Sequence, residues 1–187
     1  MIKLLPILYF LVTPAIANAS EITIHNASTQ VKNGLLMLTV EANLPLTVET
    51  DLPLADEVID ALKSGVSIVF ELEVRLVKTR KYWLDKTVFS TRRRYAVAHH
   101  ALSERFVVTD LITGQARTFN SIKLMLASAG KLEDIPIADE NIAKPGLKGA
   151  ARLYLDIGAL PSPMLPLAYF SPGWHISSEW YEWKILP

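Results

Sequence analysis

The chain has 187 residues, with nineteen basic and nineteen acidic side chains, and half of it is apolar. That balance excludes the global positive charge that nucleic-acid binding asks for. The absence of cysteine excludes disulfides, thiol chemistry and anchoring through a lipidated cysteine.

The N-terminus reads as an export signal. Lys3 is a short positive start, Leu4 to Val12 (LLPILYFLV) is an apolar core, and Thr13-Pro14 breaks a helix begun there. The run is too short for a membrane span, which takes about 20 residues. Ala17-Asn18-Ala19 places small residues where a signal peptidase reads, so cleavage is expected between Ala19 and Ser20. Removing the first 19 of 187 residues leaves 168, enough for one domain held by its core alone. Loss of Lys3 leaves that domain, 20–187, about one charge negative.

Period two dominates the rest. Glu21 to His25 (EITIH) and Leu35 to Leu44 (LLMLTVEANL) are predicted strands, joined by a hairpin turn at Asn33-Gly34. Leu54 to Ser64 is a predicted helix. Pro53 and the acids Asp56 and Glu57 open it, Gly65 stops it, and its inner stripe is Leu54, Val58, Ala61 and Leu62. Val66 to Val77 (VSIVFELEVRLV) alternates, with Ile68, Phe70, Leu72, Val74 and Leu76 on a dry face and Glu71, Glu73 and Arg75 on a mostly wet one.

Further strands are expected over Tyr82 to Arg93, Tyr95 to His100, Arg105 to Thr109 and Arg152 to Ile157, and less regularly over Trp174 to Ile185. Ser121 to Ala129 is a second predicted helix, capped by Asn120 and stopped by Gly130. Lys131 to Gly149, with Pro136 and Pro145, reads as a surface loop. The expected fold is a mainly β, single antiparallel β-sandwich of about seven or eight strands with two short helices in its connections, an open β-barrel being the alternative.

Seven basic residues, Lys78, Arg80, Lys81, Lys86, Arg92, Arg93 and Arg94, fall within seventeen positions, against the single acid Asp85. Strand alternation sends Arg92 and Arg94 to one face and Arg93 to the other. Such a patch suits a protein partner, anionic lipid or lipopolysaccharide. The same charges also serve a strand edge that must not pair with another chain. Arg80, Lys81, Arg92, Arg93 and Arg94 are therefore the leading interaction candidates.

Chemistry of other kinds lacks its motifs. His99 and His100 are adjacent, so a strand points them apart, and neither HxH nor HxxxH spacing occurs. No G-x-S-x-G elbow, S-x-x-K pair or phosphate-cradling glycine loop is present, so no catalytic, cofactor-binding or metal residue is assigned. A hydrolase using His99 or His100 is the last alternative.

Leu160 to Trp183 holds four of the eleven prolines and three of the four tryptophans. Prolines at 161 and 163 end a strand, and Pro166 keeps the chain extended as a strap. Parity along a final strand puts Trp174 and Trp180 on one face and Trp183 on the other, covering an edge or exposed. The segment reads either as a C-terminal clamp that buries large apolar side chains or as an aromatic groove for a ligand, peptide or glycan, with Trp183 a further interaction candidate. The clamp is the preferred reading.

The stretches Tyr82-Trp83 through Arg94-Tyr95 to Leu102-Ser103-Glu104-Arg105-Phe106-Val107-Val108, and Leu155-Asp156…Leu160-Pro161-Ser162-Pro163…Trp174-His175-Ile176-Ser177-Ser178-Glu179-Trp180, resemble an exported proteobacterial family known as domain of unknown function 4390. The resemblance covers most of the chain after residue 19. It implies a periplasmic, non-enzymatic domain of a Gram-negative envelope, without a known cofactor or site residue. It also implies association with a membrane sensor kinase, beside which members are encoded. The expected function is a non-catalytic binding domain for a protein partner or an anionic envelope component.

Overall fold

The computed structural model describes residues 22–44, 56–80, 85–142 and 146–185. Leu54 and Pro53 of the first predicted helix, Lys81 and Tyr82-Trp83 lie outside these, as does the expected signal.

Strand β1 (Thr23–Lys32) turns into β2 (Leu35–Asn43) through Asn33 and Gly34, at φ 53° and 78°. A two-residue hairpin of this hand needs positive φ at both positions, which Asn tolerates and Gly adopts freely. Helix α1 (Asp56–Lys63) buries Val58, Ile59, Ala61 and Leu62, the expected stripe widened by one residue. Strand β3 (Ile68–Lys78) pairs with β4 (Lys86–His100), a single strand of fifteen residues where two shorter ones were expected. β5 (Arg105–Asp110) and β6 (Ala116–Phe119) follow. Helix α2 (Ile122–Ala129) is capped by Ser121 rather than Asn120: the Ser121 hydroxyl accepts from the Leu124 amide at 3.3 Å.

The expected surface loop after α2 is instead mostly strand. β7 (Lys131–Asp139) pairs antiparallel with β2 and buries Leu132, Ile135 and Ile137. Proline argued against a strand only on the assumption of a central position. β7 is an edge with register shifts, and an edge can leave the missing N–H of Pro136 facing away from the ladder. β8 (Leu147–Leu155) then pairs with β3, and β9 (Tyr181–Lys184) closes that edge.

The strands form two antiparallel sheets, β1-β2-β7 and β6-β5-β4-β3-β8-β9. Leu36, Leu38 and Val40 from the small sheet join Leu72, Val74, Leu76 and Leu153 from the large one in a single core, with α1 and α2 contributing. The arrangement is the expected sandwich, not a closed barrel. Each such fully buried aliphatic side chain contributes roughly 1.5–3 kcal/mol.

The C-terminal segment corrects two expectations. Leu165–Phe170 is a helix, α3, not an extended strap, because proline is compatible with a first helical turn, where its absent N–H would lack a partner anyway. Trp174 lies in a 3-10 turn (Pro172–Trp174), so no continuous strand joins it to Trp180 and the parity argument fails. Trp174 and Trp183 are both buried, and Trp180 stands on the other side of the large sheet. Trp183, expected at an edge or exposed, is 9% accessible.

Candidate functional site

The outer face of the large sheet is less wet than alternation predicts. Glu71 and Glu73 on β3 point away from the apolar core, yet Glu73 is only 3% exposed. Their cross-strand neighbours explain this: Glu71 lies between Arg94 and Tyr154, and Glu73 between Arg92 and Arg152. Arg75 Nη2 reaches Glu73 Oε1 at 2.6 Å, and Arg152 Nη2 reaches its other oxygen at 3.0 Å. Glu71 pairs with Arg92 at 3.4 Å and Arg94 at 3.7 Å, and it accepts a hydrogen bond from the Tyr154 hydroxyl. Arg94 also pairs with Asp156 at 2.9 Å. Trp180 roofs the array, its ring centroid 4.2 Å from the Arg75 guanidinium and 4.9 Å from that of Arg152.

Burial by itself would push the Glu73 carboxyl up, but hydrogen bonds and charge from Arg75 and Arg152 outweigh it and hold the group below its ordinary value. Tyr154 moves the other way, to about 12, through burial and through donating to the Glu71 carboxylate. The array is thus a lattice of four arginines and three acids with one positive charge in excess, and among the described residues the Nε atoms of Arg94 and Arg152 are buried in it without a hydrogen-bond partner.

The basic cluster seen in the sequence is divided among different places. Arg92 and Arg94 belong to the lattice. Arg93, on the opposite face, lies across from Leu72 and donates to the Pro136 carbonyl of β7, linking the two sheets. Arg80 is exposed after β3, its backbone N–H donating to Asp85 at 3.2 Å, and Lys81 lies outside the described residues. The signal for the lattice was present as Glu71-x-Glu73 and Arg92-x-Arg94. Only the register makes it readable.

His99 Nδ1 lies 3.2 Å from the Lys63 carbonyl, and its ring packs on Phe106 at 4.6 Å. Among the described residues no group of three or more His, Cys, Asp or Glu could hold a metal ion, and no helix is long and apolar enough to cross a membrane.

The feature that sequence reasoning missed is α3. Leu167, Tyr169 and Phe170 are 68%, 56% and 88% exposed on one short helix, while Ala168 anchors it in the core. Of the other exposed aliphatics, Leu111 and Ile112 are neighbours in the turn after β5, while Leu102, Val88 and Leu124 stand apart from one another. Singly exposed apolar residues are ordinary, whereas a contiguous set marks a contact surface. Glu57 of α1 accepts a hydrogen bond from the Ser171 hydroxyl at 2.6 Å, which puts a carboxylate beside the ridge. The apolar run Leu165–Phe170 was the available signal, but Pro166 within it suits an extended strap as well as a first helical turn.

The chain matches the family described as Domain of unknown function (DUF4390) over residues 19–184 and belongs to it. No curated protein and no solved structure matches the chain.

Proposed function

We propose that the chain is an exported, periplasmic, non-catalytic binding domain that docks a protein partner by inserting the α3 ridge into an apolar groove. The observation that carries the reading is the three exposed apolar side chains on a helix braced by Pro166 and anchored by Ala168. An ordered helix presents them without the ordering cost of a flexible segment. The carboxylate of Glu57 at the base of the ridge favours a groove rimmed by cations and disfavours an anionic lipid or lipopolysaccharide surface. Export is supported by the leader-like layout of residues 1–19 and by a family match that begins at residue 19.

The test is site-specific photocrosslinking in cells with the probe at position 170 and a control probe at the still more exposed Leu102. We expect a discrete adduct at 170 alone, lost in Leu167→Ser/Tyr169→Ser and weakened by Glu57→Lys, with melting temperatures unchanged. Absence of that adduct, or its persistence in those variants, refutes the ridge as the contact. Flotation with anionic vesicles that requires Phe170 assigns the ridge to lipid and equally refutes a protein partner. N-terminal sequencing of the osmotic-shock fraction should start at Ser20, and an intact leader in cytosolic material refutes export.

A further inference from the structure

At the β6 end of the large sheet, the inner face of β4, β5 and β6 forms one wall of a cleft. Tyr95 lies opposite Asp110 and Val108 opposite Arg117, so the four side chains make two adjacent cross-strand rows. Lys131 and Glu133 of β7 supply the facing wall, and Gln115 closes the turn end. The cleft is open to solvent and has a volume of about 280 Å³. That is just below the roughly 300–1,000 Å³ of sites for drug-sized ligands, so the cleft suits a smaller polar molecule.

The charges within it are not all answered by the protein. Lys131 pairs with Glu133 at 3.1 Å. Asp110 Oδ1 accepts the backbone N–H groups of Ile112 and Thr113 at 2.8 and 3.1 Å, and Oδ2 has no partner among the described residues. Arg117, exposed on β6, likewise has no hydrogen bond or ion pair among them. Tyr95 is a buried residue whose hydroxyl makes no hydrogen bond among the described residues and opens into the cleft, where water or a ligand can reach it. Burial, then the Asp110 charge, raises its pKa to about 12, so it stays a neutral hydroxyl able to donate or accept.

We infer that this cleft binds a free α-amino acid, with Arg117 holding the carboxylate, Asp110 the ammonium and the Tyr95 hydroxyl a third hydrogen bond. A guanidinium fork matches a carboxylate in shape and charge, and Asp110 supplies the acceptor an ammonium needs. A dianion such as phosphate fits less well, because Asp110 and Glu133 oppose it.

The experiment is an amide chemical-shift titration of the purified protein with the common α-amino acids up to tens of millimolar, beside inorganic phosphate. For the amino acid that binds, its N-acetyl and carboxamide derivatives are compared. We expect saturable shifts at Tyr95, Val108 and Arg117 with at least one amino acid, and binding about tenfold weaker for each singly charged derivative. Arg117→Gln and Asp110→Asn should each weaken it similarly at unchanged melting temperature. Asn keeps the oxygen that caps Ile112 and Thr113, so folding is preserved. No saturable shift with any amino acid, equal binding of the derivatives, or saturation by phosphate through the same residues would each overturn the assignment.

Discussion

Trp180 and Trp183 stand three residues apart on opposite faces of the large sheet, and they are held by different physics. Trp183 fills the space left by Gly149 on β8. A Cβ at that glycine would come within 2.2 Å of its indole ring. Its Nε1 donates to the Thr29 hydroxyl of β1 at 3.3 Å, tying the two sheets together. Trp180 instead lies against two guanidinium groups above buried carboxylates. On the inner face stability comes from excluded water and filled volume, and on the outer face from pairing among groups that would be costly alone. The lesson is that a mainly β chain can bury both faces of its central strand, one with hydrocarbon and one with a paired ionic lattice.

Three substitutions break or sharpen that contrast. Trp183→Ala empties the space over Gly149 and should cost about 3–5 kcal/mol in urea unfolding, the usual range for deleting a core tryptophan. A loss no greater than that of an exposed residue would end the claim that this indole seals the sandwich.

Glu73→Gln leaves Arg75 and Arg152 without their shared carboxylate. Breaking a buried pair costs more than this in general, but both arginines are partly exposed, so we expect about 1–2 kcal/mol. The pH dependence separates a charge effect from a packing effect. The Glu73 carboxyl is held below its ordinary value of 4.5 in the folded protein, so its stabilisation is present above that pH and is lost as pH falls further. The difference between parent and Gln variant should therefore shrink on acidification below that value. A difference that stays constant there contradicts the ionic account.

Trp180→Leu is the mildest change. It keeps an apolar cover and removes the ring face, so about 0.5–1 kcal/mol is expected, the range for cation–π contacts near a surface. Should it exceed the loss in Trp183→Ala, the two faces would have to exchange roles.

Local patterns carried much of the architecture. The alternation in Ile68 to Leu76 names the inner face of β3, and Asn33-Gly34 names the first hairpin. Asp56, Glu57 and Gly65 bound most of α1, and Gly130 stops α2 as expected. Each of these rests on a preference that a residue expresses within a few positions of itself. β7 was hidden because Pro136 is excluded from a strand only if both edges are paired, and sequence does not say which strands are edges. The ridge on α3 was hidden for a related reason. Proline opens a helix or extends a strap with the same φ, and the surrounding packing selects.

Composition and periodicity alone therefore determined a cysteine-free, alternating chain that had to fold as antiparallel sheets around a hydrocarbon core, since pleated strands sort their side chains every second residue. Which strands lie side by side was decided only in three dimensions. That choice set Arg94 and Tyr154 on either side of Glu71, Tyr95 against Asp110, and Trp183 over Gly149. The physical reason is that charge pairing and cavity filling act across a few ångströms of space, between residues tens of positions apart in the chain. A strand encodes its own face, but not its neighbour.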